Sequence, residues 1–217
     1  MTKITVCSID IGYRNLSVYV ETFDLIEYST NKSAYENGDV IFFNNFDLFD
    51  GLPTIPEKIT GQQMPQNLLC NFNRLFDKNK HVWNGCDIFL IEEQVIPRYI
   101  PKMKTTIGNQ PAIRLSYHCY AYFTFLYSRF KTILLFPSTK KTQVLGAPKK
   151  MTKSQRKKRS YDTAISIMLD RFEKNRDPKI SECVKYITSG KNGKKHTNDD
   201  ISDCILMIQA YKKEIKL

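Results

Sequence analysis

Two rhythms of apolar residues run along this chain. The first is short and dense. "KITVCSIDI" (3–11) is an apolar run rich in β-branched residues, which predicts a buried strand. Gly12 turns the chain and "LSVYVETF" (16–23) alternates, so 3–23 predicts a hairpin. Residues 24–38 are polar and read as loop, and "DVIFFNNFDLF" (39–49) supplies a third strand. The prolines and glycine of 51–57 mark another loop. The second rhythm is helical. From Gln62 to Lys80, residues Met64, Leu68, Leu69, Phe72, Leu75 and Phe76 recur on one face. "CDIFLIEE" (86–93) predicts a buried strand, 96–107 a basic loop, and Pro111–Phe130 a long aromatic-rich helix. "TILLFP" (132–137) is a strand stopped by Pro137, and 138–155 is polar and basic without periodicity. Helical spacing returns over 156–172 through Tyr161, Ala164, Ile165, Met168 and Phe172, while 174–195 gives no firm element. A last helix runs from near Thr197 to about Lys213, with Cys204, Ile205, Ile208 and Tyr211 on one face. Strands that first pair as hairpins and then alternate with helices imply an α/β fold, a mixed sheet with helices on its faces.

Composition narrows this picture. The 217 residues are 41% hydrophobic, enough for one sizeable core, so 1–217 reads as one domain. Charge is lopsided. Residues 1–130 hold 12 Lys/Arg against 13 Asp/Glu, whereas 131–217 hold 21 against 9, so the whole excess of +11 lies in the second part. Such a field suits a polyanion, and nucleic acid is the commonest one; solubility or an anionic membrane surface are the other uses. The six cysteines form no CxxC pair and the three histidines no zinc-finger spacing, which argues against structural zinc and for free thiols in a reducing compartment. Asp10 interrupts the opening apolar run, so neither a signal sequence nor a membrane span is predicted. The expectation is a soluble intracellular protein, with a nuclear or organellar address left open.

Three groups of carboxylates stand out. Asp10 lies late in an apolar strand, where a carboxylate needs a partner, a hydrogen bond or a metal; capping the turn before Gly12 is the alternative. Glu92 and Glu93 end the strand 86–93, and alternation sends them to opposite faces. In "HTNDDISDC" (196–204), Thr197 and Asp200 fit a capped helix start, which accounts for Asp199 and Asp200 but less well for Asp203. Asp200 and Asp203 share a helical face, about 5–6 Å apart at Cβ. Two anions so close need a cation between them, either Lys194 and Lys195 or a divalent ion. If the first and fourth strands are neighbours, Asp10 and Glu92 converge at one end of the sheet and the last helix adds Asp200 and Asp203. Four carboxylates of this kind can hold two ions about 3.5–4 Å apart, able to activate water and stabilise a leaving 3′-oxygen.

This order of motifs resembles the Holliday junction resolvases of the RuvC-like, ribonuclease H-like superfamily, in its poxvirus-type and fungal mitochondrial branch. "SIDIGYRNLSV" (8–18) is similar to that branch's Asp-x-Gly-x-basic-Asn motif, with Arg14 as the basic residue. "FLIEEQ" (89–94) resembles its Ile-Glu-x-Gln motif, which favours Glu92 over Glu93. "FPSTKK" (136–141) resembles a Pro-Ser stretch after the fifth strand, "KKRSYDTAI" (157–165) a basic helix start, and "KKHTNDDISDC" (194–204) a Lys-rich, Asp-Asp-x-x-Asp ending. Residues 24–38 and 51–61 have no counterpart in the pattern. The resemblance implies a ribonuclease H-like fold with a mixed five-stranded sheet. It implies an endonuclease dependent on Mg²⁺, or Mn²⁺, with two ions per site, that acts as a homodimer and nicks four-way DNA junctions in symmetric pairs. It further implies Asp10 as bridging ligand, Glu92, Asp200 and Asp203 as the others, and Lys195 near the scissile phosphate. A viral role in genome processing follows from the same resemblance, and with it a place in host cytoplasm or nucleus rather than the mitochondrion.

Two readings remain beside it: a ribonuclease H-like nuclease acting on RNA or RNA–DNA hybrid, and a DNA-junction-binding protein without catalysis. For DNA contact the expected residues are Arg14, Arg98, Lys102, Lys104, Lys153, Arg156, Lys157, Lys158 and Arg159. The cluster 149–159 carries seven cations in eleven residues, against a solvated loop or an import signal as alternatives. The aromatics of 111–130 exceed what one core face needs, so they predict either a dimer interface or a helix buried within one chain.

Overall fold

The structure, a computed structural model, describes residues 3–24, 37–52, 64–94, 98–100, 105–107, 109–148, 150–189 and 199–215. β1 (Lys3–Asp10), β2 (Leu16–Asp24) and β3 (Asp39–Phe46) pair antiparallel in chain order. β3 stops at Phe46, three residues before the predicted end, because Asp47 turns the chain by accepting a hydrogen bond from the Phe49 amide (2.9 Å). Helices α1 (Gln66–Lys78) and α2 (Lys80–Asn84) then carry the chain across the sheet to β4 (Ile88–Glu93), which lies parallel to β1. A short antiparallel pair follows, β5 (Arg98–Ile100) with β6 (Thr105–Ile107), where a basic loop was expected. Three-residue strands are too short to leave a readable alternation.

α3 (Gln110–Tyr127) is the second crossover and leads to β7 (Thr132–Pro137), parallel to β4. The sheet order is therefore β3-β2-β1-β4-β7. The remaining elements are α4 (Ser138–Val144), α5 (Lys153–Asn175), α6 (Pro178–Ser189) and α7 (Asp199–Glu214). α5 begins three residues before its predicted start because Thr152 and Gln155 form a reciprocal capping box. α4 and α6 occupy stretches for which no firm element was expected.

Period-two alternation splits the sheet's side chains between two cores. Cys7, Ile9, Phe89 and Ile91 face α1, α2 and α3, where Phe72, Phe76, Trp83, Phe123 and Tyr127 gather. Phe89 and Phe123 stack with centroids 4.4 Å apart. Most of the α3 aromatics are thus core, but Tyr117 (50% exposed) and Phe125 (90%) project outward. Val6, Ser8 and Leu90 face the other way, toward α5, α6 and α7. α7 is covered on both sides, by β1 and β2 below and by α4 and α5 above. Its buried Gln209 and Lys212 are answered by Glu21 of β2 and Arg171 of α5, all without solvent exposure. Cys7, Cys86, Cys119, Cys183 and Cys204 are buried thiols and Cys70 is exposed. No helix among the described residues is long and apolar enough to cross a membrane.

Candidate active site

The parallel ladder pairs Ile9 with Ile91, and one step further it sets Asp10 beside Glu92. Both lie on the face that packs against α7, since they alternate in phase with Val6 and Leu90. Glu93 alternates with Ile91 toward the α3 side. Of the two glutamates, Glu92 is thus the one on the Asp10 face. Its backbone is fixed from behind by Ser116 of α3, whose hydroxyl donates to the Glu92 carbonyl (3.0 Å).

α7 is latched across the strand ends by two polar contacts. Ser8 Oγ donates to the Cys204 carbonyl (2.9 Å) and Cys204 Sγ to the Ser17 carbonyl (3.4 Å). This places Asp203 over the Asp10–Glu92 end of the sheet, with Asp200 one turn earlier. An open cleft of about 250 Å³ lies beside them, lined by Asp10, Asp200, Asn109 and the Gly12–Asn15 turn. That turn is tight: a Cβ on Gly12 would stand 2.7 Å from the Asn15 carbonyl oxygen.

The residue that ties the acids together is Lys141, which sequence reasoning passed over. β7 pairs Phe136 with Glu92, so α4, rising directly from Pro137, delivers Lys141 to the site. Its ammonium lies 2.9 Å from Glu92 Oε1 and 2.9 Å from Asp203 Oδ2, with its side chain 7% exposed. Gln94 Nε2 donates to the other Glu92 oxygen (2.7 Å). The signal for Lys141 was present in "FPSTKK", but a seven-residue polar helix has no apolar period to announce it. The expected partner, Lys195, lies outside the described residues, as do Lys102, Lys104, the Arg98 side chain and the Thr197 cap.

Burial and the adjacent Glu92 carboxylate hold Asp10 well above the usual carboxylate range. Burial would also raise Glu92, but the Lys141 ammonium and hydrogen bonds from Asp10, Lys141 and Gln94 outweigh it and hold Glu92 low. Burial would lower Lys141, yet Glu92, Asp203 and Asp10 raise it, so it stays charged.

Of the cations expected to meet DNA, Lys157 reaches Asp200 (Nζ–Oδ1 4.0 Å) and Lys158 pairs with Asp162 (2.6 Å). Arg159 donates to the Leu145 and Gly146 carbonyls (3.4 and 3.2 Å). Arg14 lies 4.6 Å above the Phe49 ring and 3.5 Å from Asp47. Lys153 and Arg156 are exposed on the first turn of α5.

The donor set is all carboxylate oxygen, which suits a hard divalent cation. Asp203 Oδ1 is buried and has no hydrogen-bond partner among the described residues. Yet among those residues no three acids, histidines or cysteines converge on a point fit for a metal, and an ammonium stands between Glu92 and Asp203. The residues fit such an ion once it shares or takes the place of Lys141.

No protein-family model matches the chain. An uncharacterized protein, 170L, of Invertebrate iridescent virus 6 is 30% identical over 63% of this chain and 54% of its own length. A second, 97L of Invertebrate iridescent virus 3, is 27% identical over 76% of this chain and 67% of its own length. The chain thus spans about half the first relative and two thirds of the second. Among solved structures, the fowlpox virus Holliday junction resolvase superimposes over 96% of both chains, with a TM-score of 0.52 and 15% identity. With its five-stranded mixed sheet in the order β3-β2-β1-β4-β7, the chain shares the ribonuclease H-like fold of that resolvase.

Proposed function

We propose that this chain is a Mg²⁺-dependent endonuclease that resolves four-way DNA junctions by paired nicking, with 1–217 as its nuclease domain. The observation that carries the reading is that Asp10 and Glu92 end two adjacent parallel strands, with Asp203 of α7 joined to Glu92 through Lys141, in a chain whose second part is strongly basic. A divalent ion, when bound, activates water and stabilises the departing 3′-oxygen. The chain's own residues do the rest. Asp10, Glu92, Asp200 and Asp203 would supply the ion's oxygen ligands. Gln94 and Ser116 fix Glu92 in place. Lys141 keeps the acids from repelling the phosphate. Arg14 and the α5 cations hold the DNA backbone.

The outward Tyr117 and Phe125 of α3 support a homodimer, since symmetric nicking needs two sites. The relatives from iridescent viruses support a role in viral genome processing within the infected cell. The test is cleavage of a labelled immobile four-way junction beside linear duplex and RNA–DNA hybrid, with and without Mg²⁺. Wild type is expected to nick the junction in symmetric pairs. Asp10→Asn is expected to bind the junction but not cut it. Wild-type cutting by Asp10→Asn would overturn the site, and cutting of the hybrid alone would move the substrate to RNA.

A further inference from the structure

The helix acids are each met by a lysine, but the two lysines differ in what else can reach them. Lys141, on Asp203, is sealed at 7% exposure. Lys157, on Asp200, is 52% exposed and stands on the α5 turn that also carries the exposed Arg156 and Lys158. Asp200 in turn lines the cleft with Asp10. One ammonium is thus shared between a carboxylate of the site and the surface on which DNA phosphates would lie.

We propose that Lys157 couples DNA binding to cation binding: it neutralises Asp200 in the DNA-free protein, and a backbone phosphate that takes it over leaves Asp200 to the cation. This rests on the nuclease reading above. The exchange conserves charge, because the phosphate replaces the carboxylate as partner of the ammonium while the cation replaces the ammonium as partner of the carboxylate. It is also reciprocal. If DNA tightens cation binding by some factor, the cation tightens DNA binding by the same factor. Lys141 cannot serve this purpose, because no phosphate reaches a sealed ammonium without opening α4 from the sheet.

The pair is partly exposed, 52% at Lys157 and 21% at Asp200, so its size is that of a surface ion pair, worth roughly two- to fivefold in affinity. The full chain is titrated with Mn²⁺ by electron paramagnetic resonance in the absence of DNA, as wild type, Lys157→Gln, Lys158→Gln and Asp200→Asn. Lys158→Gln removes the same charge from the same turn, but that ammonium pairs with Asp162 at 2.6 Å. Lys157→Gln is expected to bind Mn²⁺ about two- to fivefold more tightly than wild type, and Lys158→Gln about as wild type does. A labelled linear duplex, checked on a gel to be intact, is then titrated with and without Mn²⁺ by fluorescence anisotropy. The Mn²⁺-induced tightening is expected to be smaller in Lys157→Gln than in Lys158→Gln. Equal behaviour of the two variants in both titrations overturns the coupling and leaves the nuclease reading intact. Wild type that binds no Mn²⁺, or binds it unchanged in Asp200→Asn, overturns the nuclease reading itself.

Discussion

Lys141→Met is the sharpest test of how the site is held together. The substitution keeps the length of the side chain and removes only the ammonium. In its place the buried Glu92 and the partly exposed Asp203 each lose a contact of 2.9 Å to the buried ammonium. Breaking a buried pair from one side costs roughly 3–5 kcal/mol, because the desolvated charge stays behind. For a chain of this size each kcal/mol moves the midpoint by about 2–4 °C, so the variant is expected to melt about 6–20 °C below wild type in EDTA. A divalent ion binding the same oxygens offsets the loss, and at a hundred times its dissociation constant contributes about 2.7 kcal/mol. Differential scanning fluorimetry in EDTA and over a Mg²⁺ series reads both effects. The Mg²⁺-dependent rise is expected to be larger in the variant, where no ammonium competes. A midpoint within about 2 °C of wild type in EDTA would show that Lys141 does not neutralise these acids. A depressed midpoint indifferent to Mg²⁺ and Mn²⁺ would show that they do not take a cation in its place.

Two further outcomes follow from the same charges. Burial would raise Glu21, but Arg171 and Lys212 outweigh it and hold it at about 2, against an ordinary 4.5. A depressed carboxylate stabilises the fold above the ordinary value and loses that contribution as pH falls toward the folded one. The stability gap between wild type and Glu21→Gln, roughly 3–5 kcal/mol near neutrality, is therefore expected to shrink below half by pH 3; a gap in urea unfolding constant from pH 6 to pH 3 would refute the pairing. Neutralising Lys157, Lys158 and Arg159 together should weaken junction binding and flatten its salt dependence. With Arg159 engaged by two carbonyls, the slope should fall by about two phosphate contacts, or ~1.8, rather than three, and an unchanged slope would make this stretch a solvated helix.

What the sequence made legible follows from the size of each signal. The strands of the main sheet have six to nine residues and near-continuous apolar runs, so their positions could be read. The capping box at Thr152 and Gln155 was also readable, but the charge run behind it drew attention away. α4 could not be found by period, since its one buried residue is a lysine. Convergence of Asp10 and Glu92 was inferable because parallel pairing of the first and fourth strands fixes it. The partner of the acids was not. A cation that acts through three-dimensional contact leaves only its identity in the sequence, and seven lysines and arginines in 149–159 made Lys141 inconspicuous.

On the nuclease reading, the charge balance of the site has to let a phosphodiester approach a group of four acids. Four bare carboxylates would repel that substrate at the point of reaction. Here burial and the Glu92 carboxylate hold Asp10 above the usual carboxylate range, Lys141 joins Glu92 to Asp203, and Lys157 meets Asp200. Two ammonium groups thus stand among the four carboxylates. On that reading the phosphate would meet a partly neutralised site set in a basic surface. The compensating charges are of unequal permanence. Lys141 is held by burial, whereas Lys157 is exposed enough for a phosphate to reach it. On the coupling proposed above, a cation would therefore enter most readily once a phosphate holds Lys157.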